Sequence, residues 1–396
     1  MEFSFNLWLE YFIRFAHLVA GISWIGSSFY FIWLDSAFTP PEKPRHNVDG
    51  EVFMVHGGFY YQVEKKKIAP GELPKTLHWF KWEATLTWIT GILLLVVVYY
   101  LKGASLMIDP SVLALSQAQA VGLSVGILVV SLLIYDLLWH PRLVQTTSAK
   151  RVSTVLTAIF FAGLIYLNAK IFSGRGAFIQ TGAIFGSMML FNVWVRILPG
   201  QRKMLSDAES GRVPDYSLGL KSKTRSVHNT YFIFPVLLIM LSNHYSGVTG
   251  HPQNWLLLIV LSISGALARH AMVTNKPLER MTLIPATVGL LALVWMTRVE
   301  VPILADVSTL PPVSTQEIHA LVQDRCVSCH SHKPTDDIFK IAPAGAVFET
   351  EDQILSYKEK IYQRVVVLKN MPFTNKTGLT EEERAKFNRW YLGLSK

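Results

Sequence analysis

Long apolar windows with few charges recur along the chain, and an α-helix needs roughly 20 such residues to cross about 30 Å of hydrocarbon. Eight windows meet the pattern, near 11–34, 82–101, 119–138, 152–170, 177–198, 230–246, 255–273 and 281–297. The sixth is short, and the eighth is flanked by Arg280 and Arg298. One such window can be a buried helix of a soluble core, but eight in one chain predict a polytopic membrane bundle. The pattern breaks over 301–315, where Pro302, Pro311 and Pro312 read as a linker. The expected organisation is all-α, with a transmembrane domain over 1–300, a linker over 301–314 and a small domain over 315–396.

Charge orients the spans, because short cytoplasmic loops collect Lys and Arg. The loops after spans one, three, five and seven hold nineteen of them, whereas the N-terminus and the remaining loops hold Lys102, Lys170 and Arg175. Both termini are therefore predicted to face outward. The first span has no Lys or Arg before Arg14 and no small-residue cleavage pattern, so a retained helix is expected and not a removed signal peptide. Charged side chains make up 16% of the chain, against about 25% in soluble domains, which excludes a disordered chain. The formal net charge of +9 belongs to the cytoplasmic loops, since residues 304–396 balance. The bilayer is the partner this implies, and nucleic acid is not.

The only two cysteines stand in Cys326-Val327-Ser328-Cys329-His330. Cys-x-x-Cys-His is the attachment pattern of c-type haem, in which both thiols form thioethers to the porphyrin and the imidazole ligates iron. Zinc would want a second ligand pair, and a redox Cys-x-x-Cys leaves the adjacent His and the outward topology unused. An electron-transfer haem needs a second axial ligand, and Met raises its potential. Met371, in Lys369-Asn370-Met371-Pro372-Phe373, is the tail's one methionine, and its alternative role is packing. The predicted iron ligands are thus His330 and Met371, with Cys326 and Cys329 holding one haem c. Such a covalent group would also staple a domain small for its own core. Ser314 or Thr315 caps a helix reaching Arg325, and Thr380-Glu381-Glu382-Glu383 opens another reaching Trp390 and Tyr391.

Polar groups are costly in hydrocarbon, so each one within a span is a functional candidate. Glu10, Arg14, His17, Gly21 and Trp24 recur every three or four residues and share one helical face. Asp136 with His140 and Asn192 with Arg196 are spaced i, i+4, and His228-Asn229, His244 and Arg269-His270 complete the set. His140, His228, Arg269 and His270 lie near span ends and are as readily interfacial as functional, as are terminal Trp and Tyr. His17 and Asp136 are harder to assign to an interface.

These motifs carry three resemblances. The tail resembles class I cytochrome c, in which the first and last helices cross and the Met comes from a loop between them. That implies that Pro343, in Ile341-Ala342-Pro343-Ala344-Gly345, offers its carbonyl to the second nitrogen of His330. The run from Phe15 through His17, Gly21 and Trp24 to Gly26 is similar to the opening span of bacterial membrane oxidoreductases of the oxygen-independent protoporphyrinogen-oxidase type. It implies a non-covalent haem b on His17. Taken whole, the eight spans, the basic loop with His56-Gly57-Gly58-Phe59-Tyr60 and the cytochrome-like tail resemble the bacterial membrane-bound urate hydroxylase family, a urate oxidase fused to cytochrome c. The resemblance implies oxidation of urate to 5-hydroxyisourate in purine breakdown. Electrons would pass to haem c and on to a respiratory acceptor such as a terminal oxidase, not to peroxide. It implies the inner membrane, with the cytochrome domain on the periplasmic side.

A planar anion such as urate wants a cationic fork and a ring to stack on, which Arg14 or Arg196 with Trp24 would supply. His17 is the candidate general base. These residues, with Asp136, are the expected catalytic set. If urate binds from the cytoplasm, electrons must cross about 30 Å, and a second haem held by His17 and another span's His is required. If the site opens outward, none is. The rival reading is a membrane electron-transfer subunit oxidising quinol or serving a partner. A transporter with a fused sensor haem is a third, disfavoured because no paired broken helices or internal repeat stand out.

Overall fold

The computed structural model describes residues 5–101, 104–298, 311–336, 339 and 341–394. Most of the expected linker, and Lys102, lie outside them. Eight long helices occupy the first three-quarters of the chain. They are α1 (Phe5–Ala37), α2 (Trp82–Tyr100), α3 (Gln117–Leu138), α4 (Thr147–Ile171), α5 (Gly174–Glu209), α6 (Ser217–Ser242), α7 (Asn254–Val273) and α8 (Pro277–Met296).

Among the described residues seven of these, all but α6, are long and apolar enough to cross a membrane. The sequence pattern had suggested eight. The first half of α6 carries Lys221, Lys223, Arg225 and His228, so its apolar run begins only near Tyr231. Position explains the inner pair: α6 is packed between α5 and α7, with Arg225 buried and His228 half-buried, while Lys221 and Lys223 stay exposed. Its Phe232, Ile233 and Ile239 join Tyr135 of α3, Leu164 of α4, Phe185 and Met188 of α5 and Leu258 of α7 in the main core. The apolar window of α5 is 67% buried and that of α1 is 0% buried, so the bundle is centred on α5 and α6. Phe15, Leu18 and Ile22 on α1, and Ile284, Leu291 and Val294 on α8, are more than half exposed. Several polar groups point inward and are bonded, as where Gln180 Nε2 donates to Ser124 O at 2.7 Å and Asn168 Nδ2 to Thr181 Oγ1 at 3.1 Å.

The all-α expectation needs one correction. The loop after α1 folds into an antiparallel hairpin of β1 (Val48–His56) and β2 (Phe59–Lys66), with His56 paired to Phe59. Gly57 (φ 62°) and Gly58 (φ 81°) make its two-residue turn, a conformation in which both central residues need positive φ. The hairpin is tied to the end of α1 by paired backbone bonds between Thr39 and Glu51. Lys65 Nζ also reaches Asp35 Oδ1 at 2.7 Å.

In the tail, α9 (Thr315–Arg325) opens on a Ser314/Glu317 capping box and α12 (Glu381–Gly393) on a Thr380/Glu383 capping box. Between them lie α10 (Glu351–Ser356) and α11 (Lys358–Ile361), which continues as a wider turn over Tyr362–Val367. The first and last helices pack together. Arg325 Nη2 holds Glu383 Oε1 at 2.9 Å, and Trp390 Nε1 donates to Thr315 Oγ1 at 3.1 Å. Ile318, Val322, Ile354, Phe387 and Trp390 fill the small core.

Candidate active site

A cavity of about 380 Å³ lies between α1, α2, α5 and α6, within the roughly 300–1,000 Å³ of small-molecule sites. Its walls are mostly apolar. Arg14, Tyr99, Arg175 and Asn243 gather at the end where α1 and α5 begin and α2 and α6 finish. Trp24, Ile25 and Met189 line it toward the other end.

His17 enters from α1. Its Nδ1 lies 3.0 Å from Thr87 O and 3.1 Å from Thr90 Oγ1. Because a carbonyl only accepts, this nitrogen is assigned the proton, and Nε2 is left as an acceptor at the cavity. The ring fits only because α2 has glycine opposite it: a Cβ at Gly91 would stand 3.0 Å from His17 Cε1. Gly186 of α5 has no atom within 4 Å of where its Cβ would be, which leaves flat space beside Trp88. Trp88 is itself fixed, its Nε1 donating to Ser187 Oγ at 2.9 Å.

The cationic end is built around Asn243. Its Oδ1 accepts from Arg175 Nε at 3.0 Å and from Tyr99 OH at 3.0 Å. The Arg175 guanidinium also engages the Tyr99 hydroxyl, and its Nη groups with the Asn243 Nδ2 are the donor groups that this end offers a ligand. The start of α5 that carries Arg175 is clamped. Ser173 caps the helix by accepting from Gly176 N at 3.0 Å and donates its hydroxyl to Leu106 O at 2.7 Å. Any Cβ at Gly174 would come within 1.9 Å of Thr249 O. Arg14 stands at the rim with its side chain 53% exposed, donating to Glu10 Oε1 through Nε at 3.2 Å and Nη2 at 2.7 Å.

The urate oxidase N-terminal family model matches residues 4–299. The chain belongs to that family. By that membership the chemistry of the bundle is urate-related and oxidoreductive. No curated protein and no solved structure matches the chain.

Within this urate oxidase-type bundle, three of the four sequence-predicted residues, Arg14, His17 and Trp24, line the cavity. Asp136 does not. It pairs with Arg196 through Nε at 2.7 Å and a second, closer contact, and with Arg225 Nη2 at 2.8 Å. Arg196 is thereby committed to Asp136 and is not the fork over Trp24. The same group extends through Asn192, Tyr135 and His228, whose Nδ1 lies 2.8 Å from Tyr135 OH. His228 is thus part of an interior network, and Arg269 is buried against the Phe29 ring at 4.1 Å. His270 bonds Tyr231 OH at 2.6 Å. Among the described lining residues His17 is the one histidine.

The second candidate centre lies beyond the matched residues. Cys326 ends α9, and His330 N and Cys329 N both donate to Cys326 O, at 2.9 and 3.1 Å. His330 Nδ1 lies 2.9 Å from Ala346 O, and its ring stacks on Phe348 with centroids 4.6 Å apart. The carbonyl expected from Pro343 therefore comes from Ala346. Pro343 O is occupied by Ala346 N–H at 3.1 Å, which closes the short turn Pro343–Gly345. The two cysteines are not joined in a disulfide. Burial pushes the Cys326 thiol up to about 12, opposite to the lowered thiol of a redox Cys-x-x-Cys. Met371 packs against the tail core, its N–H donating to Arg364 O at 3.2 Å and its carbonyl accepting from Arg384 Nη1 at 2.8 Å. Two thiols in one turn, an imidazole with Nε2 left over and a loop-borne thioether are the donor set that a covalent haem needs.

Arg175, Asn243 and Tyr99 were not anticipated. The available signal was Arg175 itself, an arginine in a loop that the charge pattern predicts to face outward, where basic residues are scarce.

Proposed function

We propose that this bundle lies in the bacterial inner membrane and oxidises urate to 5-hydroxyisourate, passing electrons to a haem c on the tail and on to the respiratory chain. The observation that carries the reading is a single cavity of the family-matched region that holds the Arg175–Asn243 fork at one end and His17 further along. The apolar outer faces of α1 and α8, with bonded polar groups inward, support a lipid environment.

Urate is a flat monoanion edged with carbonyl oxygens and N–H groups. At the mouth, Arg175 Nη and Asn243 Nδ2 supply charge and donors that recognise the anion's edge as it enters, as planar guanidinium forks do. Deeper in the cavity, on the His17 side, Trp24 and Trp88 give apolar walls, and Gly91 and Gly186 keep the slot open for an anion admitted past the fork. Arg14 at the rim draws the anion inward. The balance is urate anion plus water giving 5-hydroxyisourate, one proton and two electrons. His17 Nε2 takes the proton as water adds to the oxidised ring. Haem c held by Cys326, Cys329, His330 and Met371 would accept those electrons singly. The polar end of the cavity is the outward end by the charge pattern, so no second centre within the bundle is needed.

The test is an anaerobic optical spectrum of the purified full-length protein, with a pyridine haemochrome assay, before and after adding urate. Reduction of a c-type band by urate is expected. A band that quinol reduces and urate does not would replace this reading with the electron-transfer subunit.

A further inference from the structure

The tail touches the bundle through a segment on which two contacts flank Met371. Phe373 packs against the cluster at the end of α2, whose buried members include Leu95, Tyr99, Leu106 and Met107. Leu368 Cδ2 lies 3.9 Å from where a Cβ on Gly247 would stand. Gly247 belongs to the single turn Ser246–Thr249, whose last carbonyl abuts Gly174, the residue before Arg175. Leu95 and Tyr99 also line the cavity. Both contacts therefore fall at its Arg175–Asn243 end.

The segment is built to hold a shape. Leu368 N donates to Gln363 O at 2.8 Å, and Asn370 N to Arg364 O at 3.0 Å. Buried Arg384 donates through one Nη1 to the carbonyls of Val365 at 2.5 Å and Met371 at 2.8 Å. Phe339 meets Phe373 edge-on with centroids 5.9 Å apart.

We infer that residues 368–373 are a docking face that seats the tail on the cavity's outer mouth, turning its Met371 side toward Tyr99, Asn243 and Arg175. The seat is small, but a tether makes the contact intramolecular, and effective concentrations in the millimolar range let few contacts suffice. Its purpose rests on the urate reading; its existence does not.

Two measurements test it on the full-length holoprotein in membranes. In the double variant Gly247→Cys/Leu368→Cys the native thiols are engaged by haem, so a short bis-maleimide has one pair to bridge. A cross-linked peptide pair found by mass spectrometry is expected. Failure to cross-link while each single variant labels with a mono-maleimide would overturn the seat. In Phe373→Asp, urate-driven reduction of the c-type band is expected to slow by about tenfold or more, with dithionite reduction and equilibrium binding of labelled urate unchanged. An unslowed rate would also overturn it. Cross-linking together with a wild-type haem that urate never reduces would sink the urate reading and leave the seat standing.

Discussion

Replacing Gly91 with alanine separates the geometry of His17 from the stability of the helix that faces it. The new Cβ would lie 3.0 Å from His17 Cε1 and 3.5 Å from Nδ1. Carbon atoms settle at about 3.5–4.0 Å, so the ring must retreat by about 0.5–1 Å. The bond from Nδ1 to Thr87 O, now 3.0 Å, then moves to the edge of hydrogen-bonding range, a loss of about 1 kcal/mol. A reacting group misplaced by about 1 Å costs on the order of 10²-fold in rate. The backbone effect has the opposite sign, since Gly→Ala in a helix interior gains about 0.5–1 kcal/mol. Gly91→Ala is therefore expected to reduce urate-driven haem reduction by about 10–100-fold while the two stability terms nearly offset and Tm stays level. Anaerobic stopped-flow at saturating urate, paired with a thermal melt, reads both quantities. Gly126→Ala on α3, where no atom lies within 4 Å of the added Cβ, is the control for helix propensity. A wild-type rate in Gly91→Ala, or a Tm that falls along with the rate, refutes the reasoning.

Arg175→Lys keeps the charge but loses the fork and the Asn243 bond, so KM for urate should rise by about tenfold with the c-type spectrum intact. Steady-state kinetics checks this. Asp136→Asn leaves two guanidinium groups facing one another around a neutral amide, and Arg225 has only 4% of its side chain exposed. A loss of about 3–5 kcal/mol is expected, visible as a lower melting temperature. Cys326→Ser/Cys329→Ser should abolish the pyridine haemochrome c signal while the membrane fraction still binds labelled urate. Gly57→Val places a β-branched residue at φ 62°, which costs about 1–3 kcal/mol locally and should show as faster amide exchange in β1 and β2.

The helices were legible because length and apolarity are properties of contiguous residues. Along α6 the signal fades: Arg225 is buried and His228 half-buried among protein groups, while Lys221 and Lys223 are exposed near its start. The hairpin had a readable mark in Gly57-Gly58 between alternating segments, masked by the stronger helical pattern on either side. Arg14, His17 and Trp24 were visible as one face of one helix. Tyr99, Arg175 and Asn243 were not, since three helices must meet before they share a hydrogen bond. The pairing of Asp136 was hidden for the same reason: its partners, Arg196 and Arg225, lie 60 and 89 residues away. The carbonyl on His330 shifted from Pro343 to Ala346 because a turn consumed the nearer one.

The cavity is unequally walled. On one side α5 and α6 back it with the main core, while on the other α1, whose apolar window is 0% buried, is the last layer of protein. The dielectric and lateral pressure behind His17 are then set by whatever surrounds the molecule. Exchanging lipid for detergent alters one side of the reaction vessel itself, so rates measured in micelles and in native membranes are expected to differ even when the protein is fully folded.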